Sequence, residues 1–476
     1  MHKQATIRVR TALSLAFAAL FAAGCTSFAP EYKRPEAELP AAWNAAGTAT
    51  PLAVGERWWS VFNDPALDRL IDEALAGNAN LFIAAARVEE ARGLLSTSES
   101  DQQPQVTGGF SRSRTLSTNR GTFPLPPTVP REQNAYRATV NVSYELDFWG
   151  RYRNATAASR ADLLASEAAR DTVRLSLASD VAQTYFALRA LDAQIEAVRR
   201  AIATRGESLD IQKKRLGLGD ISEYDLRQRE AEFAAAQAQL PPLQRARSQQ
   251  ESALAVLLGR SPKGIYEARL DAGRDAELKA VAPVVPEGMP SDLLLRRPDI
   301  VEAEQRLIAA NARIGVARAA YFPGISLTGY LGSESVALSN LFTGPAGIWQ
   351  AALALSQPIW GGRVDAQVQQ ANARQQQALG NFQKTLQVAF REVRDALAGQ
   401  AAAREQLQAE ADRTRALGET LRLVRLRYAN GMANQLEVLD AERNLLAAEQ
   451  GRIDALRLQR AAIADLFKAL GGGWKK

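Results

Sequence analysis

The chain has 476 residues, a formal net charge of +6, 46% hydrophobic residues and 23% charged residues. These values are typical of folded proteins, and the two signs of charge are interspersed, so the sequence predicts no nucleic-acid partner. The single histidine is His2 and the single cysteine is Cys25. If a signal peptide removes His2 and Cys25 is modified, catalysis by His or a free thiol is excluded, and so are His/Cys metal sites.

Residues 1–24 are predicted to be a signal peptide. Lys3, Arg8 and Arg10 precede an apolar stretch that is short for a membrane-spanning helix. The stretch ends in Ala22-Ala23-Gly24-Cys25, which resembles a bacterial lipobox, although Ala22 stands where leucine is preferred. Cys25 is therefore expected to be acylated and to anchor the mature chain in lipid; plain secretion is the alternative. Thr26 lacks the acidic character that retains lipoproteins in the inner membrane, which favours the outer membrane.

Residues 25–64 are rich in proline and tryptophan and are predicted to form an extended arm after the lipidated cysteine. Asp64 and Pro65 indicate a capped helix start, and the helix is expected to reach about Gly77. A second helix is expected from Asn80 to about Gln103, with Asn78 or Asn80 as its cap.

The sequence contains a duplicated unit. The segment from Tyr144 to Arg151 has a counterpart 212 residues later in the segment from Ser356 to Arg363. The glycine at the turn, Gly219, has its counterpart in Gly431 at the same offset. Repeats are looked for first because a missed repeat gives the wrong fold. The predicted repeats are residues 65–260 and 291–470, joined by a linker at 261–290 and followed by a tail at 471–476. Each has a β-hairpin (about 104–150 and 323–362) and a long helical hairpin (about 152–258 and 364–470).

The strands alternate with period two. Between Thr139 and Phe148, apolar residues such as Val140 and Val142 alternate with polar ones such as Asn141 and Ser143. In a soluble sheet this alternation means one face on a core, whereas with a signal peptide and aromatic strand ends it is typical of a transmembrane β-barrel. The expected interface aromatics are Trp149, Trp349 and Trp360; packing at a barrel–helix junction is the alternative for them.

Two very long helices are predicted, from Tyr152 to Leu216 and from Val364 to Asn430. A helix of the first length spans roughly 98 Å and needs packed partners in water. The returning helices are expected over Ser222–Leu258 and Asn434–Leu470, with an interruption at Pro241-Pro242 in the first. The predicted fold is therefore mixed: long coiled-coil helices plus membrane β-structure.

Four strands cannot close a barrel, and open sheet edges are not tolerated in lipid. Two copies of the chain would supply eight strands and three copies twelve. A larger barrel leaves a lumen, so the sequence predicts an oligomeric channel.

Further motifs strongly resemble the TolC-like outer-membrane factors, in particular the NodT-type lipoproteins. They are Leu294-Leu-Arg-Arg-Pro-Asp-Ile300, Ala309-Ala-Asn-Ala-Arg-Ile-Gly315, Phe322-Pro323, Trp58-Trp59 and Pro358-Ile-x-Gly-Gly-Arg363. The resemblance implies a homotrimer with a twelve-stranded outer-membrane β-barrel and a periplasmic α-barrel of long helices. It also implies a periplasmic adaptor and an inner-membrane efflux transporter as partners, export of drugs or other toxic small molecules, and no cofactor.

The resemblance also implies a gate at the helix tips near Gly219 and Gly431. Glu437 and Asp440 match acids that ring the periplasmic entrance in the family, and Asp225 is the repeat partner of Glu437. The alternative is that these acids are solvated coiled-coil positions. Ala433 stands where well-known members carry an arginine, so Arg215, Arg427 and Tyr428 are the candidate gate partners.

Other functional classes are weaker. A periplasmic adaptor has one hairpin per chain and no membrane strands, and a structural coiled-coil lipoprotein needs no alternating strands. An enzyme is not expected, because acidic residues on long helices are most simply salt-bridge partners one turn apart.

Overall fold

The computed structural model describes residues 27–36, 57–118, 120, 126, 128–267 and 295–472. The helices are α1 (Pro65–Gly77), α2 (Ala79–Ser100), α3 (Arg151–Gly217), α4 (Glu223–Leu257), α5 (Pro262–Glu267), α6 (Pro298–Ala319), α7 (Arg363–Ala429) and α8 (Gln435–Ala469). The strands are β1 (Gln105–Leu116), β2 (Glu132–Leu146), β3 (Gly324–Ser335) and β4 (Gly347–Ser356). The signal peptide, Cys25, most of the predicted linker and the last four residues of the tail lie outside the described residues.

The first two helices are each capped by the side chain of the residue just before the helix. The Asp64 carboxylate accepts hydrogen bonds from the amides of Ala66 and Leu67 and starts α1, as predicted. The Asn78 side-chain oxygen accepts from the amides of Asn80 and Leu81 at 2.8 and 3.2 Å. Asn78 is therefore the cap of α2, and the alternative that Asn80 caps it is wrong, because Asn80 already lies inside the helix.

The two long helices have 67 residues each and the two returning helices have 35 each. All begin and end within one residue of the prediction. The expected interruption at Pro241-Pro242 is wrong, because α4 continues through both prolines. Neighbouring contacts hold this part of the helix: Ala236 is fully buried, and Gln450 of α8 donates to the side chain of Gln239 at 3.2 Å.

Two predicted boundaries also change. The strand expected from Thr139 to Phe148 extends from Glu132 to Leu146, because it pairs over its whole length with β1. The first residues of the predicted linker form the short helix α5.

The chain divides into two compact units, each of which draws on both predicted repeats. One comprises Met1–Glu36, Arg87–Ser166 and Glu302–Phe382, and the other Ala37–Ala86, Glu167–Val301 and Gln383–Lys476. The first contains the antiparallel sheet β1-β2-β3-β4. It also contains a buried cluster of small residues from α3 and α6, in which Ala158 and Ala161 meet Ala309 and Ala312. Small side chains let the two helix backbones approach closely.

The second unit has an aromatic core. Trp58 stacks on Phe467 with ring centroids 5.3 Å apart and contacts Trp59 edge to face. The hydroxyl of buried Tyr185 donates to the Asp64 carboxylate at 2.7 Å. Burial, together with this hydrogen bond, raises the pKa of Tyr185. Asp64 therefore caps α1 and ties it to α3.

No helix among the described residues is both long and apolar enough to cross a membrane.

Candidate functional site

The two helix-to-helix turns have the same backbone. Gly219 and Gly431 have φ angles of +79° and +72°, in the left-handed region that favours glycine. The amide of Asp220 donates to the Arg215 carbonyl at 3.0 Å, and the amide of Met432 donates to the Arg427 carbonyl at 2.8 Å. Together with the bonds from the glycine amides to the carbonyls of Leu216 and Tyr428, these close a Schellman motif at each turn.

Each returning helix starts with a capping box, and two of the predicted gate acids belong to these boxes. The Asp225 carboxylate accepts from the Ser222 amide at 3.3 Å and from its hydroxyl at 2.7 Å. The Glu437 carboxylate accepts from the Asn434 amide at 3.1 Å. Both acids therefore have a structural reason to be where they are, and this reason is independent of a gate.

The remaining candidate residues surround the second turn. The Asp440 carboxylate accepts from Arg443 at 2.6 Å and from Asn444 at 3.0 Å. Arg427 donates to the Met432 carbonyl at 3.0 Å, and its guanidinium lies 3.7 Å from the Glu437 carboxylate. Arg427 is thus the predicted partner that does contact a predicted acid.

Arg215 and Tyr428 contribute differently. Arg215 shapes the first turn through its carbonyl, and Tyr428 is half-buried on α7. A hydrogen bond joins the starts of the two returning helices: the Gln435 side chain donates to the Asp225 carbonyl at 2.9 Å. The two turns therefore lie side by side.

Next to the turns lies an ion-pair network that the sequence reasoning missed. Arg229 of α4 and Glu442 of α8 are 3.7 Å apart, and their side chains are only 5% and 11% exposed. Glu442 also accepts from Arg425 of α7 at 2.9 Å. Burial lowers the pKa of Arg229, and the nearby negative charge of Glu442 opposes that effect.

The network extends to a second acid. Arg205 of α3, 7% exposed, lies 3.5 Å from Glu232 of α4, and Arg443 of α8 lies 3.8 Å from the same carboxylate. Side chains of α3, α4, α7 and α8 are therefore joined by ion pairs just above the turns. The available signal was a charged residue at a position otherwise expected to be apolar, such as Arg229 between Leu226 and Phe233.

The sheet has two chemically different faces. Directly paired residues in the register share a face, so Val140, Leu331 and Trp349 lie on one side and Asn141 with Tyr330 on the other. The polar face carries the following residues: Thr107, Ser111, Thr139, Asn141, Ser143, Ser326 and Thr328. The apolar face is exposed in the single chain, with Leu331 at 69% and Leu353 at 65%.

The predicted interface aromatics separate into two groups. Trp149 stacks on Phe322 with centroids 4.9 Å apart and donates through its indole N–H to the Pro323 carbonyl at 2.8 Å. Its surroundings match the packing alternative. Trp349 and Trp360 are 76% and 97% exposed, and their placement at a membrane interface remains a prediction.

The N-terminal arm is held along α6 and the end of the sheet. Phe28 stacks on Phe322 with centroids 4.4 Å apart, and the Pro30 carbonyl accepts from Asn311 at 2.7 Å. A Cβ at position 315 would lie 2.8 Å from the Ala29 amide nitrogen, so Gly315 leaves room for the arm. The described arm begins two residues after Cys25, the predicted lipid attachment site.

Across the described ranges, no three His, Cys, Asp or Glu side chains are grouped so that they could hold a metal ion.

The comparisons with known proteins agree over almost the whole chain. The family model described as "Outer membrane efflux protein" matches residues 70–260 and 289–472. The chain is 36% identical over 457 residues to the probable outer membrane lipoprotein SilC of Salmonella typhimurium, covering 95% of this chain and 96% of that protein. It is 35% identical over 463 residues to the cation efflux system protein CusC of Escherichia coli O6:H1, covering 96% and 98%.

Solved structures give the same result. The CmeC outer membrane channel of Campylobacter jejuni superposes with a TM-score of 0.88 at 28% identity, covering 94% of this chain and 96% of that one. The MtrE outer membrane channel of Neisseria gonorrhoeae, in its open state, superposes with a TM-score of 0.82 at 32% identity, covering 94% and 99%.

Proposed function

Because the chain belongs to the outer membrane efflux protein family and is an outer membrane channel of an efflux pump, we propose that three copies assemble into one gated duct. The sheet carries this proposal. It has one apolar and one polar face, and among the described residues its edge strands β1 and β4 each pair on one side only. Open edges are not stable in lipid. Pairing β4 of one copy with β1 of the next satisfies both edges, and three copies supply twelve strands.

The two faces define the inside and the outside of the duct. The apolar face, with Val140, Leu327 and Leu353, contacts lipid, and the face rich in serine, threonine and asparagine lines a watery lumen. The long helices continue the passage into the periplasm. The alternatives of an adaptor or a structural lipoprotein leave this sheet without a role.

The partners follow from the channel's place in a pump. We propose a periplasmic adaptor and an inner-membrane transporter, since several relatives are named as outer membrane proteins of efflux pumps. Relatives are named for toluene efflux and for cation efflux, so family membership alone leaves the cargo open. The proposed cargo is small toxic molecules, with the transporter making most of the choice.

The anchor of the duct is proposed to be an acyl chain on Cys25. The contact of Phe28 supports this, because Phe322, on which Phe28 stacks, lies two residues before the start of β3. An acyl chain attached at Cys25 would then lie near the β-sheet of the first unit, which is the part proposed to be in the membrane.

The gate is proposed to lie at the turns. Asp225, Glu437 and Asp440 would each form a ring of three carboxylates in a trimer, and such rings favour cations and raise an electrostatic barrier to anions. Within one chain each of these two acids has an arginine beside it, Arg427 at 3.7 Å from Glu437 and Arg443 at 2.6 Å from Asp440. Glu437 and Asp440 are therefore changed together.

The first experiment measures conductance of the purified full-length protein in planar lipid bilayers, with the oligomer mass determined in parallel. Three copies forming small, cation-preferring and mostly closed pores are expected. A monomer or a dimer without pores would contradict the duct.

The gate experiment compares Glu437→Gln combined with Asp440→Asn against Glu405→Gln, an exposed acid elsewhere on α7. Glutamine at position 437 can still form the capping box, so only charge is lost. The double variant is expected to lose most of the cation preference, while Glu405→Gln keeps it. Equal selectivity in the two would remove these acids from the gate.

A further inference from the structure

The distal ends of the two β-hairpins differ in charge. Around the first, between Phe110 and Glu132, the sequence has four arginines (Arg112, Arg114, Arg120, Arg131) and one acid, Glu132. Around the second, between Ser333 and Gly347, it has Glu334 and no lysine or arginine. The positive charge is therefore concentrated on one hairpin, at the end of the strands away from the helices that flank them in the chain.

Two of these arginines point to the lipid side of the sheet. Arg112 pairs with Tyr136 and Arg114 with Asn134, two and four residues beyond the Phe110–Ala138 pair. Because a strand alternates faces with every residue, both share the face of Phe110 and Val140. The lumen face at this height carries Arg137, which pairs with Glu334 at 3.7 Å and lies over the Tyr330 ring.

The register also gives their height in the membrane. The apolar face consists of five successive rows, beginning with Leu146–Ile325–Leu355 and ending with Phe110–Ala138. At about 3.4 Å per residue, the first and last rows are roughly 27 Å apart along the strand. With a strand tilt of about 40°, this is roughly 21 Å across the membrane, close to the roughly 25 Å apolar band of such barrels. Arg112 lies in the next row and Arg114 in the row after it, so both are just beyond the apolar band.

The contacts of the two side chains leave most of their donors available. The Arg112 guanidinium lies 5.5 Å from the centroid of the Tyr136 ring. Arg114 lies 2.9 Å from the Glu132 carboxylate, and both side chains are more than half exposed. Glu132 offsets one of the two charges. A guanidinium has five N–H donors in a planar fork, so each arginine keeps donors that face outward.

We propose that Arg112 and Arg114 bind the phosphate groups of a phosphorylated glycolipid of the lipid A class in the outer leaflet of the outer membrane. The inference rests on the proposed orientation, with the helices in the periplasm and the ends of β1 and β2 that carry Arg114 and Asn134 directed outside. Arginine recognises phosphate through paired hydrogen bonds, and Tyr136 beside Arg112 suits the boundary between acyl chains and headgroups. Leu331 and Trp349 in the row of Val140 extend the apolar surface on which acyl chains would lie.

The test uses the full-length protein in detergent and measures its affinity for bisphosphorylated lipid A by native mass spectrometry. Arg112→Gln combined with Arg114→Gln is the test variant. Arg137→Gln is the matched control, because it removes the same side chain at nearly the same height from the opposite face. Loss of two charge-assisted arginine–phosphate contacts is expected to weaken binding by about tenfold or more, while the control changes it by less than about twofold. The single variants locate the effect if the double variant folds poorly.

Two further arms identify the ligand. Dephosphorylated lipid A is expected to bind wild type and the double variant equally, and inorganic phosphate at millimolar concentration is expected not to displace lipid A. Equal affinity of wild type and double variant for the bisphosphorylated lipid would overturn the inference, as would full displacement by inorganic phosphate. Bilayer conductance of the same preparations tests the proposed channel independently of lipid binding. If the wild type conducts but its lipid binding does not depend on the arginines, the lipid-binding inference is refuted and the channel is not.

Discussion

The turn at Gly219 and the turn at Gly431 share their hydrogen bonds but differ in what their side chains contact. Both have a left-handed glycine, a Schellman motif and a capping box. Only the second turn has an arginine close to the capping-box acid, Arg427 beside Glu437. The buried network above them is also unsymmetrical, because Ala441 occupies in α8 the position that Arg229 occupies in α4.

This difference shows how a duplicated unit can diverge. The residues that set the backbone path are kept in both copies, since a change at any of them disturbs the turn itself. The residues that decide how one helical pair holds the other have become different. The contacts between the pairs, rather than the turns, are therefore where this chain has specialised.

The largest expected effect is on the buried network. Glu442→Gln leaves Arg229 buried without its counter-charge, which is expected to cost about 3–5 kcal/mol. The repeat partner of Glu442 is Glu230, which pairs with the 64% exposed Arg227. Glu230→Gln is expected to cost at most about 1 kcal/mol. Unfolding followed by circular dichroism at equal protein concentration compares the two, and equal losses would mean that the buried pair is not special.

The next effect tests the shared backbone. Gly219→Ala and Gly431→Ala each force alanine into the left-handed region, at an expected cost of about 1–2 kcal/mol. Gly217→Ala is the control, because Gly217 is the last residue of α3 and a Cβ added there would meet no other atom within 4 Å. It is expected to be neutral or to stabilise the protein by up to about 1 kcal/mol. A large difference between the two turns would contradict their equivalence.

The capping residues should give smaller and equal losses. Ser222→Ala and Asn434→Ala each remove the side chain that accepts from the third residue of a helix, at about 1 kcal/mol. Thermal unfolding midpoints measure both. A clearly greater loss for Asn434→Ala would show that Arg427 and Glu437 depend on the cap.

The smallest effect concerns an exposed pair that only the second long helix has. Arg422 donates to Glu419 at 2.6 Å and lowers the pKa of that carboxyl, whereas the matching positions in α3 are Glu207 and Asp210. A lowered folded-state pKa stabilises the protein above the ordinary pKa of glutamate, and this contribution is lost as pH falls through the lowered value.

Arg422→Ala is therefore expected to reduce the unfolding midpoint slightly at pH 7 and not at a pH below the lowered pKa of Glu419. High salt should shrink the difference at pH 7 as well. A difference that is the same at both pH values would assign the effect to lost packing of the arginine stem.

The sequence was informative wherever the cause is local. The helix ends beside the two turns and the start of α1 could be placed within one residue, because their causes lie a few positions away. Ser222, Asn434 and Asp64 accept hydrogen bonds from nearby amides, and the Gly219 amide donates to the Leu216 carbonyl. The faces of β2 followed from alternation, and the channel class followed from the family motifs.

Features that depend on distant residues were missed or placed wrongly. Arg229 occupies a position otherwise expected to be apolar, but its pairing with Glu442 becomes evident only when α4 and α8 are brought together. Pro241-Pro242 would end an isolated helix, yet α4 continues where α8 packs beside it. The strand β2 is longer than its pattern suggested because β1 supplies hydrogen bonds as far as Glu132.

The equal lengths of the helical pairs, 67 with 67 and 35 with 35 residues, limit how this chain can evolve. An insertion of seven residues in one long helix alone would displace its turn by about 10.5 Å and separate Gln435 from the Asp225 carbonyl. The helical hairpins can therefore become longer or shorter only when both long helices and both returning helices gain or lose the same number of residues. The lengths of these four helices are thus coupled. Relatives with longer or shorter ducts should differ from this chain by matched insertions or deletions in all four helices rather than by a single one.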